Sequence, residues 1–303
     1  MSGPNESLPT LIQKKDHLGV LRYVRAHTLR EPKLVISHGK SMLGSDLSKT
    51  LSDDAARLAA LEQICLAALD VNSHDLAEAC LDKIKSIVGK DSSRFQILLA
   101  RCLEAASDYQ GATDIYDRLL KDNPANLMAL KRKYCVARAQ NKGAEEIIAA
   151  LNDYLAQQLS DVSGWYEMAQ LRMSLADFKG AAYALEQVVL GSPLDSDIHR
   201  ELAEVYATIG GLENLSLARK HMAQALELNQ FNVRAQFGLV SVANQYLEAS
   251  ENASKKDFDE HELLVAKELV KYGSTEVLKS YKGNKLFATV KRVMDDYTKS
   301  LEE

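Results

Sequence analysis

Hydrophobic residues recur with helical spacing along most of the chain, and the same apolar pattern returns at a nearly constant interval. Five positions come into register at gaps of 35, 35, 34 and 37 residues: Ala77, Ala112, Ile147, Ala181 and Ala218. Each is followed four and seven residues later by further apolar or aromatic side chains, as one face of a helix requires. A period near 34 residues built from two helices is typical of tetratricopeptide repeats. The pattern therefore predicts about five helix pairs, which span residues 51–248.

The clearest copy of the repeat begins near Val162 and ends at Pro193. Within it, Ala181 is small enough to let two helices approach closely, and Pro193 cannot continue a helix. Trp165, the only tryptophan, occupies an apolar position of the repeat, so we interpret it as a packing residue and not as a ligand-stacking platform. The longest gap contains two consecutive glycines, which predict a loop insertion that protrudes between the helices of the fifth pair.

The ends of the chain depart from the repeat, as the terminal caps of a solenoid do. Residues 1–50 predict a flexible start and two capping helices, at 17–30 and 33–43, separated by Pro32. The polar run 249–256 predicts a mobile linker, and residues 257–303 predict two capping helices, at 257–272 and 274–301. The predicted fold class is all-α: a superhelical tetratricopeptide solenoid with atypical N-terminal and C-terminal capping helices.

Composition and charge agree with a helical protein that binds other proteins. Hydrophobic residues make up 46% of the chain and aromatic residues 6%, and the abundant residues are good helix formers. The 37 basic and 42 acidic residues are interspersed, so the surface lacks the one-signed field that recruits nucleic acid or anionic lipid. No apolar run approaches the roughly 18 residues of a membrane helix, and no secretory signal is evident. We expect a cytosolic protein that binds no nucleic acid and does not insert into a membrane.

No arrangement of residues typical of an enzyme is found in the sequence. The four cysteines are too widely spaced for a metal knuckle and should be free, packed thiols. The seven histidines never occur four residues apart, so local spacing indicates no shared metal. Phosphate-binding glycine loops, nucleophile elbows and HExxH pairs are also absent. We expect no cofactor, no metal and no catalytic activity.

A candidate binding surface follows from the repeat register. In tetratricopeptide proteins, the fifth and ninth places of the first helices line the surface on which a partner lies. Arginine and aromatic side chains are frequent anchors of interfaces. The basic cluster 131–133 could bind an acidic segment or could be an ordinary solvated face. The predicted partner-binding residues are Arg101, Lys131, Arg132, Tyr166, Gln170, Arg200, Glu204 and Phe237.

Several short segments resemble one tetratricopeptide family. They are 115–120 (IYDRLL) with Asn123 and Pro124, 129–133 (ALKRK), 151–155 (LNDYL), and 210–215 (GGLENL) with 218–220 (ARK). Together they resemble the family of the second subunit of the endoplasmic reticulum membrane protein complex, from about residue 55 to residue 248. The double glycine is the most specific part, because ordinary tetratricopeptide repeats lack it.

This resemblance implies a function as well as a fold. It implies a non-catalytic scaffold, peripheral on the cytoplasmic face of the endoplasmic reticulum, in the insertase for tail-anchored and multi-pass proteins. The implied partners are cytosolic parts of membrane-embedded subunits and a soluble metalloprotease-like subunit. The alternative is a cytosolic co-chaperone or adaptor that binds another protein's tail. Against a carboxylate clamp, Arg132 is paired with Val136 and Tyr166 with Gln170, where such clamps have lysine and asparagine.

Overall fold

The computed structural model describes residues 6–44, 53–251, 259–299 and 301, and these residues form helices, turns and no strand. The prediction of an all-α fold is confirmed. The helices are α1 (Leu8–Gln13), α2 (His17–Ala26), α3 (Pro32–Leu43), α4 (Asp54–Asp70), α5 (His74–Val88), α6 (Ser93–Ala105), α7 (Tyr109–Asp122), α8 (Leu127–Ala139), α9 (Ala144–Gln157), α10 (Val162–Ser174), α11 (Phe178–Gly191), α12 (Ser196–Ile209), α13 (Leu212–Leu228), α14 (Val233–Glu251), α15 (Glu260–Ser280) and α16 (Phe287–Lys299).

The chain forms two compact units, Met1–Gly143 and Ala144–Glu303. The first unit contains α1 to α8, and its core includes Leu61, Ile64 and Ile84. The second unit contains α9 to α16, and at its C-terminal end Val240 of α14 packs with Val270 of α15. Since the boundary falls at residues 143 and 144, it lies inside the predicted repeat array.

The predicted register of the second helices is confirmed residue by residue. All five register positions are buried, and so are the apolar residues four and seven places later in each helix. Trp165 is buried as predicted, and its indole Nε1 donates a hydrogen bond to the carbonyl oxygen of Leu159 at 2.8 Å. Burial at a constant phase gives each pair one apolar side that faces its neighbours in the stack.

A left-handed residue recurs in the turn between the two helices of each pair. These five residues and their φ values are Asn72 (+57°), Ser107 (+63°), Asn141 (+50°), Ala176 (+56°) and Gly210 (+74°). A positive φ reverses the chain direction in very few residues, and glycine adopts it without a steric penalty. Only the fifth pair of helices has glycine at this position.

The prediction of a loop insertion at the double glycine is wrong. α12 continues to Ile209 and α13 begins at Leu212, so Gly210 and Gly211 alone form the turn. Both glycines have positive φ, +74° and +82°, which allows a two-residue reversal. The residues that widen the gap before Ala218 lengthen the start of α13 and form no loop.

The N-terminal helices differ from the prediction in two details. A helix that was not predicted, α1, precedes the two capping helices, and its Leu11 is buried. The first predicted capping helix ends earlier than expected, at Ala26. Pro32 is the first residue of α3, where its missing N–H would have no helical partner in any case.

The C-terminal helices also differ from the prediction. α14 extends to Glu251, beyond the predicted start of the linker at residue 249, and residues 252–258 lie outside the described part. α15 runs through Gly273, where the sequence suggested a break. A Cβ at Gly273 would lie 2.7 Å from Cγ2 of Val240, so this glycine allows α14 and α15 to pack closely. The last helix, α16, begins at Phe287.

Candidate protein-binding surface

Ion pairs between consecutive first helices shape the candidate surface in the first unit. The guanidinium of Arg94, on α6, donates to both carboxylate oxygens of Glu62, on α4, with Nη2 at 2.8 Å from Oε2. Arg132, on α8, binds Glu104, on α6, through both Nε and Nη2, with Nε at 3.1 Å. The Tyr116 hydroxyl donates to the same Glu104 carboxylate at 2.5 Å. Glu62 therefore connects α4 to α6, and Glu104 connects α6 to α8.

The other predicted residues of the first unit differ in exposure. Arg101 is half-buried on α6, and its positive charge opposes the rise in the pKa of Tyr116, which is caused mainly by burial. Lys131 is exposed on α8. Hydrogen bonding to Glu62 raises the pKa of Arg94, so this guanidinium stays protonated at any physiological pH. The surface presents cations whose charges are largely matched by neighbouring glutamates.

In the second unit, the predicted residues form a polar network around two glutamates of α12. Gln170 Nε2 donates to Glu201 at 3.2 Å, and the Tyr166 hydroxyl lies 3.5 Å from the same carboxylate. Glu204 accepts hydrogen bonds from Arg200 at 2.8 Å and from Arg234 at 2.7 Å. Burial and the nearby Glu201 raise the pKa of Tyr166, which keeps its hydroxyl protonated. The network joins α10, α12 and α14 along one face.

Phe237 does not belong to this open network. Its ring lies 5.8 Å from that of Tyr281 in an edge-to-face arrangement, and it packs against the apolar cluster of the C-terminal helices. Val136, which lies four residues after Arg132 on α8 and has the place of a clamp asparagine, is buried in the first unit. Val136 is thus inaccessible to a partner, whereas Phe237 is half-buried and its predicted role in partner binding stays a prediction.

The sequence prediction missed the acidic half of this surface. Glu62, Glu104 and Glu201 were not among the predicted residues, although each accepts hydrogen bonds from another first helix. Opposite charges recur at a separation of 32, 28 and 30 residues, in Glu62 with Arg94, Glu104 with Arg132 and Glu204 with Arg234. This separation equals the repeat length of about 34 residues minus one helical turn of about four. A search of the sequence for opposite charges at this separation would have found all three pairs.

Two histidine pairs were also missed. The Nδ1 atoms of His17 and His38 are 3.0 Å apart in the first unit, and those of His199 and His221 are 3.0 Å apart in the second. Their members are 21 and 22 residues apart, so spacing within a single helix could not reveal them. Within the described ranges, no group of three or more histidine, cysteine, aspartate or glutamate side chains is arranged to hold a metal ion.

The described helices include none that is long and apolar enough to cross a membrane. The four cysteines are free thiols in the first unit, where Cys65 and Cys80 are buried and Cys102 and Cys135 are half-buried. The features that distinguish the surface are thus polar contacts between repeats and exposed apolar side chains.

Solved structures with similar helical arrangements include two tetratricopeptide proteins. The C-terminal part of a TPR repeat-containing protein from Cytophaga hutchinsonii has a TM-score of 0.48 at 12% identity, and covers 93% of this chain and 97% of its own. YrrB, described as a TPR protein with an unusual peptide-binding site, has a TM-score of 0.45 at 16% identity, and covers 70% and 97%.

Similarity in sequence identifies the family of the chain, which the solved structures do not. A family model described as the EMC2 TPR-like repeat domain matches residues 76–226. ER membrane protein complex subunit 2 of Xenopus tropicalis is 36% identical over 260 residues, which are 85% of this chain and 83% of that protein. The protein of the same name from Dictyostelium discoideum is 30% identical over 209 residues, 69% of this chain and 64% of that protein. The Xenopus tropicalis protein is similar over most of both chains, at 36% identity. This chain therefore belongs to the family of ER membrane protein complex subunit 2.

Proposed function

We propose that the chain is a non-catalytic scaffold subunit of the ER membrane protein complex, peripheral on the cytoplasmic face of the membrane. In this role it holds cytosolic parts of membrane-embedded subunits and a soluble metalloprotease-like subunit, within an insertase for tail-anchored and multi-pass proteins. The observation that carries this proposal is the similarity to subunit 2 over 85% of the chain. Stacked helix pairs support it, because each pair contacts only its neighbours and leaves long faces for partners.

The first helices of each unit present side chains that support protein binding more than catalysis, and we call these surfaces the first-helix face of the first and of the second unit. Arg132 and Arg200 are bound to glutamates of the same chain, so they act as parts of a rigid polar surface. The exposed side chains on these faces, such as Lys131, Tyr166 and Gln170, are suited to hydrogen bonding and to burial against a partner. A co-chaperone clamp is less well supported, since the ninth place of the repeat that has Arg132 at its fifth place is the buried Val136.

Co-purification tests this function directly. The tagged full-length chain should recover membrane-embedded subunits of the complex from detergent-solubilised membranes, together with the soluble metalloprotease-like subunit. Recovery of heat-shock proteins without membrane subunits would overturn the scaffold proposal and support the co-chaperone alternative.

Surface variants test which residues of the first-helix face bind partners. Lys131→Glu and the double change Tyr166→Ala with Gln170→Ala should lower recovery of at least one subunit, because they alter exposed side chains. Lys121→Glu, exposed on the second helix α7, and Lys179→Ala, exposed on the second helix α11, are matched controls that should leave recovery unchanged. Arg132→Glu is a poor test, because it would place a second carboxylate against Glu104 and destabilise the fold.

A further inference from the structure

Three loops of the second unit expose a large apolar side chain each. They connect successive helix pairs and comprise residues 158–161, 192–195 and 229–232, which we call the loop edge. Leu159 is 70% exposed, Leu194 81% and Phe231 79%. Isolated exposed apolar residues are ordinary on protein surfaces, but three in equivalent loops form a patch of the kind that marks an interaction site.

A hydrogen bond and a shared cavity show that successive loops are neighbours. Asn232 Nδ2 donates to Oδ1 of Asp197, just after the second loop, at 3.2 Å. A cavity of about 520 Å³ is lined by residues of the first two loops, including Ser160 and Ser192. A second cavity, of about 690 Å³, lies beside Phe231 and is lined by Leu239 and Tyr272 among others. The edge therefore has hollows next to its protruding apolar side chains.

Each loop is held by the same backbone contact. A side chain of the following first helix donates to the loop carbonyl six residues earlier: Trp165 Nε1 to Leu159 O at 2.8 Å, His199 Nε2 to Pro193 O at 3.1 Å, and Gln236 Nε2 to Gln230 O at 2.8 Å. These contacts use the loop backbone, so the side chains of Leu159, Leu194 and Phe231 remain directed to solvent. A surface that is already ordered loses less conformational entropy when it binds a partner.

The acidic charge of the loop edge indicates which kind of partner it can bind. The three loops contain two acidic residues, Asp161 and Asp195, and no lysine, arginine or histidine, and Glu227 precedes the third loop. Asp197 is not counted, because it is paired with Arg200 at 3.4 Å. An anionic lipid surface would be repelled by these carboxylates. A helix with an apolar stripe flanked by lysine and arginine would instead bury the stripe against the exposed apolar residues and match the acidic charge.

We propose that the loop edge binds a basic amphipathic helix of another subunit of the complex. This inference rests on the proposed function, because it places the partner inside the same assembly. The loop edge adjoins the first-helix face of the second unit, since Tyr166 also lines the cavity between the first two loops. It differs from that face in its exposed apolar side chains, whereas the arginines and glutamates of the face already bind one another.

Photo-cross-linking in the assembled complex tests the proposal. The full-length chain with p-benzoylphenylalanine at Leu194 should cross-link to a helical, lysine-rich or arginine-rich segment of another subunit. Cross-links only to lipid, only to an acidic or non-helical segment, or to nothing in a complex of normal composition would overturn it. If the unlabelled chain fails to recover membrane subunits at all, the proposed function fails and not this inference alone.

Two sets of variants separate the apolar and electrostatic contributions. With the cross-linker at Leu194, the double change Leu159→Ser with Phe231→Ser should lower the cross-link yield about tenfold, because interface anchors carry most of the binding energy. Asp195→Asn with Glu227→Gln should lower it about threefold at low salt and less at high salt, and it leaves the pair of Asp197 with Arg200 in place. Asn at position 195 can still cap α12, so the helix is retained.

The matched control changes apolar residues away from the loop edge. Leu175→Ser, in the turn before α11, and Leu264→Ser, on α15, remove exposed leucines of the same unit. Circular dichroism should show equal helix content in all variants. Equal loss of cross-linking in the control and the loop-edge variant would contradict the proposal, because the effect would not depend on the loops.

Discussion

In the first unit, Arg132 links α8 to Glu104 of α6, and in the second unit Arg234 makes the corresponding link from α14 to Glu204 of α12. The two contacts differ in depth. The side chain of Glu104 is 10% exposed and also accepts a hydrogen bond from Tyr116, whereas that of Glu204 is 31% exposed. The buried arginine of the second unit is a different residue, Arg219 of the second helix α13, which is 3% exposed.

This comparison shows that the repeat register determines which helices an ion pair joins. The burial of the pair determines how much it contributes to the stability of the fold. An exposed pair contributes about 0–1 kcal/mol, because water screens the attraction and long side chains lose entropy. A buried charge left without its partner costs far more, since no water replaces the lost contact. Glu104 and Arg219 should therefore matter most within their respective units.

Replacing Arg219 should have the largest effect. Its Nη1 donates to the Glu262 backbone carbonyl at 3.1 Å, Nη2 binds the Glu262 carboxylate, and its Cζ lies 3.9 Å from the ring centroid of Tyr246. Arg219→Ala removes all three contacts between α13, α14 and α15 and leaves a void. We expect the free energy of unfolding of the full chain to fall by about 3 kcal/mol, measured by urea denaturation.

Arg219→Met is the control for this prediction, because it removes the charge but keeps much of the volume. It should recover part of the loss, as apolar replacements of buried ion pairs often do, especially since Glu262 is partly solvated. Hydrogen exchange should show faster opening of α15 in Arg219→Ala. Unchanged exchange in α15 would contradict the role of Arg219 in holding this helix.

The two glutamates provide the direct test of the comparison. Glu104→Ala should lower the free energy of unfolding by about 2 kcal/mol, because Arg132 and Tyr116 both lose their acceptor in a mostly buried place. Glu204→Ala should cost less than about 1 kcal/mol, because Arg234 is exposed to water and Arg200 keeps its second partner, Asp197. Urea denaturation of both variants measures the difference, and equal losses would show that burial is not what separates the two units.

Much of the fold could be predicted from the sequence, because burial in the repeat follows a fixed period. The register from Ala77 to Ala218 predicts the buried face of every second helix. Glycines were harder to interpret. Gly210 and Gly211 form a two-residue turn and Gly273 a close helix contact, although all three suggested a loop or a break. A glycine permits several backbone geometries, and its neighbours in space decide among them.

The candidate surface was predictable only in part, for a related reason. Register placed Arg132, Arg200 and Glu204 on first helices, but it does not say whether a charged residue meets a partner protein or a residue of the next repeat. The loop edge was missed altogether. Leu159, Leu194 and Phe231 lie outside the helical period, so their hydrophobicity carried no recognisable pattern.

The smallest expected effect distinguishes the histidine pairs of the two units. Burial and the neighbouring His17 lower the pKa of His38 in the first unit. Burial and His199 lower the pKa of His221 in the second, where Glu186 opposes the shift. Both lowered pKa values mean that folding favours the neutral ring. The resulting stability is present above the ordinary pKa of 6.5 and is lost as the pH falls through 6.5 towards the folded-state values.

His199→Gln tests the second-unit pair without loosening its loop. Glutamine at position 236 already donates to a loop carbonyl six residues earlier, so glutamine at 199 can keep the bond to Pro193. We expect unchanged stability at pH 8 and a weaker fall in unfolding free energy below pH 6.5, because His221 no longer faces a second imidazole. Urea denaturation across this range measures it. His17→Gln should act in the same way on His38, and an unchanged fall below pH 6.5 in both variants would contradict the proposed repulsion between the paired rings.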